Sequence, residues 1–229
     1  MEIGFDLIGD LHLDPEDSFN WENKSTSLYC IVAGNVSNDL RTIYQTLLHL
    51  SKFYQGIFYV PGLLEYKDVE DHDLRTQEIF KIVKKIPKVA LLYHHVVIID
   101  GIAILGANAW SADDPSDIDM RLIKNRLDDI AYLNKSVMKL QTHGDVKKML
   151  IVTSCIPRRH LYFGIVPEHV DDHIYPDYCL QSDTEMKITN WAFGGFKTDV
   201  DTVYNGIHFT NNPYFKKKPY WAKRINIEV

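Results

Sequence analysis

Residues 6–14 read Asp6-Leu7-Ile8-Gly9-Asp10-Leu11-His12-Leu13-Asp14, an apolar run that ends in an aspartate and a histidine. The run predicts a buried strand. Asp10 and His12 are two residues apart, so both side chains would point to one face if the strand geometry continued past Gly9. A carboxylate and an imidazole at the carboxyl end of a strand in an α/β sheet are typical metal ligands. The stretch indicates either half of a metal site or a strand that ends in polar residues.

The composition predicts one globular domain over residues 1–229, because the chain is 45% hydrophobic and 12% aromatic, enough for one sizeable core. The net charge of -6 argues against a broad basic face that coats nucleic acid. An odd number of cysteines without paired spacing (Cys30, Cys155 and Cys179) favours buried free thiols and a reducing compartment. No apolar run has the length of a membrane span, so we expect a cytoplasmic protein without membrane contact.

Strand and helix patterns alternate in the first part of the chain. Apolar runs at 28–33 and 56–60 predict buried strands, and apolar residues spaced three and four apart after Asn38 predict a helix capped by that residue. A second helix is expected over 73–86, with Ile79, Phe80 and Val83 facing the core. This alternation indicates right-handed crossovers and a parallel sheet.

The later part of the chain contains shorter strands and one long helix. Asp100-Gly101 and Asn205-Gly206 have the composition of two-residue hairpin turns. The acidic residues at 113–119 lack the spacing of a calcium loop, so we expect a solvated or helix-capping loop there. The expected strands are 89–93, 95–99, 102–105, 148–153, 188–193, 202–210 (a hairpin) and 224–229, with a helix over 120–138 and an irregular excursion over 158–187.

Six short motifs, taken in chain order, resemble those of the calcineurin-like metallophosphoesterases. They are Gly9-Asp10-Leu11-His12, Ala33-Gly34-Asn35-Val36, Tyr59-Val60-Pro61-Gly62-Leu63-Leu64-Glu65, Val97-Ile98-Ile99-Asp100-Gly101 running to Gly106 and Trp110, Val152-Thr153-Ser154-Cys155, and Trp191-Ala192-Phe193-Gly194-Gly195-Phe196-Lys197.

The resemblance spans nearly the whole chain and implies an α/β fold of four layers, in which two packed mixed β-sheets are flanked by α-helices. It also implies a site at the strand ends where two metal ions bind a phosphate ester and generate a hydroxide. In that family Asp, His and Asn side chains hold the metals, and one aspartate bridges both.

The chain departs from the family pattern at most of the ligand positions. Asp10 and His12 match, but Asn35 stands at the bridging aspartate, Leu63 at a ligand asparagine and Leu64 at the histidine that stabilises the transition state.

The remaining departures lie in the last two motifs. Ser154, Gly195 and Lys197 stand where the family has ligand histidines, while Glu65 keeps the glutamate that closes its loop. We therefore expect no intact catalytic set, and at most one Mn²⁺, Zn²⁺ or Fe ion held by Asp10, His12 and Asn35. Leu63 and Leu64 would fill the pocket with apolar surface, and Lys197 is predicted to form an ion pair with Asp10 in place of the metal charge.

Three further segments could carry function. His169 and His173 are four residues apart but lack the glutamate of zinc proteases, so a polar surface segment is favoured over a metal site. His94 and His95 are expected to be core or surface histidines. The tail over 214–224 could contact phosphate or a partner, or it could be a loop with packed aromatics and solvated lysines, which we favour. Its candidate contact residues are Lys216, Lys217, Lys218, Trp221 and Arg224.

The favoured hypothesis is a degenerate metallophosphoesterase-like protein without dinuclear catalysis or cofactor. It would act as a structural or protein-binding module, with a protein partner or as a homo-oligomer. The alternative is a residual metal-dependent phosphodiesterase or phosphatase that recruits a histidine from residues 158–173. Nucleic-acid binding through the tail is less favoured. A viral origin would place the protein in the host cytoplasm or in the virion.

Overall fold

The computed structural model describes residues 1–17, 19–110, 120–162, 187–214 and 219–229. Most of these residues belong to strands and helices that alternate along the chain. The strands are β1 (Glu2–Gly9), β2 (Tyr29–Ala33), β3 (Gly56–Val60), β4 (Val89–Leu91), β5 (His95–Ile99), β6 (Ile102–Ala107), β7 (Lys148–Thr153), β8 (Ile188–Phe193), β9 (Asp201–Tyr204), β10 (Ile207–Asn211) and β11 (Lys223–Glu228). The α-helices are α1 (Leu40–Leu50), α2 (His72–Val83) and α3 (Met120–Gln141), and short 3₁₀ helices cover Leu63–Tyr66 and Arg159–Tyr162.

The strands form two mixed sheets. The first has the order β11-β1-β2-β3-β4, in which β1 to β4 are parallel and β11 runs antiparallel to β1. The second has the order β5-β6-β7-β8-β10-β9, in which β6, β7, β8 and β10 are parallel and the two edge strands are antiparallel to their neighbours. Because neighbouring strands are parallel, the loops that follow β1, β2 and β3 lie at the same end of the first sheet. The loops that follow β7 and β8 likewise lie at the same end of the second sheet.

Alternating apolar residues on the strands produce four layers. Phe5 and Ile31 of the first sheet belong to the same buried cluster as Ile104 and Leu150 of the second. The opposite strand faces pack against helices: α1 and α2 cover the first sheet, and α3 covers the second. The inner strands β2, β3, β6 and β7 therefore bury both faces, which explains their nearly continuous apolar sequences. The expected fold class, two packed mixed sheets flanked by helices, is confirmed.

The observed helices differ from the expected ones at their ends and in one buried position. The cap of α1 is Asp39 rather than Asn38, because the Asp39 carboxylate accepts a hydrogen bond of 2.7 Å from the Thr42 N–H. Ile79 faces the core as expected, but Phe80 is 54% exposed, so its assignment to the core was wrong. One residue along a helix turns the side chain by about 100°, and Phe80 therefore leaves the face that Ile79 occupies.

The two hairpin turns are confirmed by their backbone. Asp100 and Gly101 have φ values of 46° and 88°, and Asn205 and Gly206 have 50° and 76°. A tight hairpin turn of this kind needs positive φ at both central residues, which Asp, Asn and Gly tolerate best. The pairings β5–β6 and β9–β10 follow from these turns.

Cys30 and Cys155 are buried free thiols, as expected, and Cys179 lies outside the described residues. Within the described ranges, no helix is both long enough and apolar enough to cross a membrane.

Candidate functional site

The loops that follow β1, β2, β3, β7 and β8 meet where the two sheets come together, and glycines permit the contact. A Cβ atom on Gly34 would lie 2.4 Å from the Ser154 Cβ, and one on Gly194 would lie 2.0 Å from the Ala33 carbonyl oxygen. The backbones of the two sheets therefore approach too closely for any side chain at these positions. We call the residues gathered here the strand-end cluster: Asp10, Asn35, Leu63, Leu64, Glu65, Ser154 and Gly195.

Asp10 and His12 do not continue the strand geometry that the sequence suggested. Strand β1 ends at Gly9, and both residues have positive φ, 52° for Asp10 and 46° for His12. Asp10 is only 5% exposed, whereas His12 is exposed. The His12 N–H donates to the Asn35 carbonyl at 2.9 Å, so the backbone of this turn is held by the loop after β2. The strand geometry on which a shared face depended therefore does not continue past Gly9.

Two neighbouring groups hold the Asp10 carboxylate. The Asn35 side-chain amide donates to Oδ1 at 2.8 Å, and the Gly195 N–H lies 2.8 Å from Oδ1 and 3.0 Å from Oδ2. Burial raises the pKa of Asp10 to about 6, although these hydrogen bonds act in the opposite direction. Asp10 is thus a buried carboxylate that titrates near neutral pH and links the loop after β1 to the loops after β2 and β8.

Asn35 uses both ends of its side-chain amide. Its Nδ2 donates to Asp10, and its Oδ1 accepts a hydrogen bond of 3.0 Å from the Leu64 N–H. An aspartate at this position could not donate to Asp10 while ionised, and two adjacent carboxylates would repel each other. The amide therefore joins three loops directly and places a hydrogen bond next to Asp10, at the position where the family resemblance implies a bridging carboxylate.

Glu65 is fully buried and serves the backbone of the same loops. Its Oε2 accepts from the N–H groups of Asn35 (3.1 Å) and Gly62 (2.8 Å), and its Oε1 accepts from the Val36 N–H (2.8 Å) and the Tyr59 hydroxyl (2.9 Å). Burial raises the pKa of Glu65 despite these donors. Glu65 is thus a positioning residue for the loops after β2 and β3.

Leu63 and Leu64 begin the 3₁₀ helix over Leu63–Tyr66, and both are half-buried. The Leu63 side chain packs against the buried clusters on the outer faces of both sheets. Leu64 contributes its backbone N–H to Asn35. Apolar side chains thus occupy positions at which the resemblance implies a metal ligand and a catalytic histidine.

Ser154 is buried beside Asn108, a residue that the sequence reasoning missed. The Ser154 Oγ lies 2.8 Å from the Asn108 carbonyl oxygen and 3.0 Å from its Oδ1, and the Ser154 N–H donates to the same carbonyl at 3.1 Å. Asn108 directly follows β6, which pairs with β7. Its polar side chain after an apolar strand was a signal for this position.

Lys197 does not form the expected ion pair with Asp10. The lysine is exposed, and the hydrogen bonds to the Asp10 oxygens come from Asn35 and the backbone after β8. Among the described residues, Asp10 and Lys197 share no ion pair. The glycine pair Gly194-Gly195 allows backbone N–H groups, rather than a lysine side chain, to approach the carboxylate.

The donor atoms of the strand-end cluster do not fit the metals that the family resemblance implies. Both Asp10 oxygens and the Asn35 oxygen already accept hydrogen bonds. In the part of the chain that the structure describes, no group of three or more His, Cys, Asp or Glu side chains could hold a metal ion. Leu63, Leu64 and Gly195 offer no side-chain ligand atom in place of those that the pattern implies.

The tail candidates separate into packed and exposed residues. Tyr220 is buried, and its hydroxyl accepts from the Gly9 N–H at 3.0 Å and donates to the Asn212 carbonyl at 2.6 Å. Trp221 is 59% exposed, and the Lys24 ammonium lies 5.9 Å from its ring centroid. Arg224 is exposed on β11 and donates to the Thr26 carbonyl at 3.1 Å. The other tail candidates and two of the histidine candidates lie outside the described residues: Lys216, Lys217, Lys218, His169 and His173.

His94 and His95 are both exposed, which is one of the two placements expected for them. The His94 ring stacks between the rings of Tyr93 and Tyr132, and its Nε2 lies 2.5 Å from the buried Asp129 carboxylate. His95 is exposed at the start of β5.

Comparison with known proteins identifies one relative in sequence and several similar folds. No protein-family model matches the chain. A protein of Acanthamoeba polyphaga mimivirus named "Uncharacterized protein L509" is 25% identical over 249 aligned positions, covering 90% of this chain and 88% of the viral protein.

Two solved structures are similar over nearly the whole chain. Phosphopantetheinyl hydrolase (PptH) from Mycobacterium tuberculosis superimposes with a TM-score of 0.64 at 15% identity, covering 98% of this chain and 96% of the hydrolase. A Staphylococcus aureus protein assigned as a 5′-nucleotidase, in complex with alpha-ketoglutarate, has a TM-score of 0.59 at 10% identity. This chain spans about half (51%) of that protein. With its two packed mixed sheets and flanking helices, the chain has a metallophosphoesterase-type fold.

Proposed function

We propose that this chain is a non-catalytic member of the metallophosphoesterase fold that acts as a structural or protein-binding module. The observation that carries the proposal is the Asn35 side chain, which donates to Asp10 and accepts from Leu64. These two hydrogen bonds engage the side-chain atoms with which a bridging ligand at this position would bind the metal ions. The loops that form a metal site in the family are thereby joined to one another.

The electrostatics of the cluster support the same proposal. A dinuclear site needs anionic ligands to balance the charge of two divalent ions. Here Asp10 accepts hydrogen bonds from Asn35 and Gly195, and Glu65 is committed to backbone N–H groups. Asn35 adds no charge. The cluster is stable as a hydrogen-bonded network and would need rearrangement to accept a cation.

A residual metal-dependent phosphoesterase is the second candidate, favoured by the fold similarity to the mycobacterial hydrolase. It would require Asp10, His12 and Asn35 to hold a single Mn²⁺, Zn²⁺ or Fe ion. That arrangement would break the Asn35–Asp10 hydrogen bond, so the two proposals make opposite predictions about metal binding.

The test is the metal content of the purified protein by elemental analysis, with Mn²⁺ titration by calorimetry and hydrolysis of bis-p-nitrophenyl phosphate. Asp10→Ala is the matched control, because it removes the carboxylate of the residual ligand set Asp10, His12 and Asn35. We expect sub-stoichiometric metal, no Mn²⁺ binding heat and no hydrolysis in either protein. Near-stoichiometric metal that is lost in Asp10→Ala, together with hydrolysis, would replace the first proposal with the second.

A further inference from the structure

A large open groove lies between the start of α2, the β4–β5 loop and the first half of α3. Its volume is about 940 Å³. None of the residues that line it belongs to the strand-end cluster. Its principal lining residues are Glu70, Asp71, Asp73, His94, Lys124 and Asp128. We call it the α2–α3 groove.

The groove carries an excess of negative charge. Glu70, Asp71, Asp73 and Asp128 line it with four carboxylates, against the two cations Arg121 and Lys124. The guanidinium of Arg121 donates to the Glu70 carbonyl and is therefore held at the wall of the groove.

Carboxylates also surround Tyr93, which lines the groove. Burial raises the pKa of the Tyr93 hydroxyl, and the carboxylates of Asp129, Asp73 and Asp128 raise it further. Asp129 is fully buried behind the His94 ring, 2.5 Å from its Nε2. The charges around Tyr93 thus favour a cationic group near its hydroxyl over an anionic one.

A second, mainly apolar pocket of about 300 Å³ continues from the groove along α2. Tyr93 lines both cavities, and Phe80 and Leu91 supply apolar surface to the second one, which Thr76, Gln77 and Lys81 also line. Phe80 is the large, half-exposed side chain that the sequence had assigned to the core. Leu91 lies on β4, the edge strand of its sheet, so the outer edge of β4 has no strand neighbour among the described residues.

We propose that the α2–α3 groove and the apolar pocket together bind an extended segment of a partner protein that carries a basic side chain and an apolar side chain. This proposal rests on the proposed binding function and names the surface that would perform it. Asp73 and Phe80 are seven residues apart on α2, a distance of about 10 Å along the helix. An extended peptide covers that distance in about three residues.

The test uses three short fluorescein-labelled peptides and fluorescence anisotropy in about 0.15 M salt, where weak surface attraction is screened. One peptide repeats arginine-serine-leucine-serine, the second glutamate-serine-leucine-serine, and the third arginine-serine-serine-serine, so that in an extended chain the arginine, glutamate and leucine side chains lie on one face. We expect the arginine–leucine peptide to bind at least about tenfold more tightly than either of the other two, because only it offers both groups.

Substitutions in the α2–α3 groove and in the apolar pocket test where the arginine–leucine peptide binds. Asp73→Lys combined with Asp128→Lys should weaken the arginine–leucine peptide about tenfold, as should Phe80→Gln. The charge control is Glu2→Lys with Glu228→Lys, an exposed cross-strand pair far from the groove in the chain that changes the net charge equally. The apolar control is Met138→Gln, which is exposed on α3. Both controls should bind within about twofold of the unmodified protein.

Tighter binding of the glutamate–leucine peptide, equal binding to all three peptides, or no binding would overturn the proposal. An equal loss in the charge control would also overturn it, since the attraction would then belong to the whole protein. The peptide comparison on the unmodified protein decides the matter even if a variant does not fold. Metal content and hydrolysis test the non-catalytic function separately, so failure of one proposal is distinguishable from failure of the other.

Discussion

Asn35 differs from aspartate only in a side-chain amide nitrogen, yet that nitrogen determines how the strand-end cluster is held together. With an amide, the side chain donates to Asp10 and accepts from Leu64, and the loops after β1, β2 and β3 are joined. With a carboxylate, the donor is lost and a second negative charge lies beside Asp10. A single side-chain group therefore separates a hydrogen-bonded network from a site that needs a cation.

Asn35→Asp should lower the free energy of unfolding at neutral pH by about 3 kcal/mol, because it removes a buried donor and adds a buried, unpaired charge. Urea denaturation measures the change. Asn226→Asp is the matched control: it is exposed on β11, accepts from Arg224, and should change stability little. If Mn²⁺ restored the stability of Asn35→Asp, the cluster would still accept a metal ion when given the missing carboxylate.

Asp10 should make the stability depend on pH in a defined window. Its pKa is about 6 in the folded protein and 3.8 in its ordinary range. Below about pH 4 both folded and unfolded chains hold this proton, and between about pH 4 and pH 6 only the folded chain does, so stability falls as the pH rises. The loss attributable to Asp10 is about 3 kcal/mol across the window.

Asp10→Asn should remove this dependence, because the amide does not titrate and its oxygen can still accept from Asn35 and Gly195. The measurement is urea denaturation of both proteins at several pH values, taking the difference between them so that the other titrating groups largely cancel. A constant difference between the two proteins from about pH 4 to pH 7 would contradict the raised pKa of Asp10.

At the scale of elements, the loops after β2 and β8 bring the two sheets into close contact. Gly34 and Gly62 lie on the side of the first sheet, and Gly194 lies on the side of the second. Because strands β2 and β8 end opposite each other, the residues after them have no room for a Cβ atom. These close contacts allow backbone N–H groups to reach Asp10.

Gly194→Ala should destabilise the protein by about 3 kcal/mol, because the new methyl group would overlap a backbone oxygen that cannot move independently. That oxygen belongs to Ala33 and would lie 2.0 Å from the added Cβ. Gly144→Ala is the matched control, since nothing lies within 4 Å of a Cβ added there. Thermal unfolding followed by circular dichroism should show a large loss in the first variant only. An equal melting temperature for both variants would contradict the close approach of the two sheets.

At the scale of the whole molecule, the first and last strands in sequence order, β1 and β11, are neighbours in the first sheet. Strand β11 pairs antiparallel with β1, so Glu2 lies opposite Glu228. Tyr220, just before β11, is buried and hydrogen-bonded to Gly9 at the end of β1. The strand that supports Asp10 is thus held in place by the last residues of the chain.

Tyr220→Phe should cost about 2 kcal/mol, because the Gly9 N–H and the Asn212 carbonyl would lose their partner. Tyr214→Phe is the control, as the Tyr214 hydroxyl has no hydrogen bond in the described part of the chain and its ring packs against Tyr220. Urea denaturation compares the two. An equal loss in both variants, or no loss in Tyr220→Phe, would contradict the role of the Tyr220 hydroxyl in connecting the tail to β1.

The local sequence determined most of the strands and the two hairpin turns, because alternation, apolar runs and positive-φ turn residues act over a few neighbouring positions. The four-layer arrangement was predicted from the order of the six motifs that resemble a known family. The local sequence also placed Asp10, Asn35 and Gly195 at the carboxyl ends of strands. It could not determine that Asn35 donates to Asp10, that Gly195 rather than Lys197 reaches the carboxylate, or that Phe80 lines a groove beside Tyr93. Those contacts join residues that are far apart in the chain, and only the packing of the two sheets and α2 decides their distances and their burial.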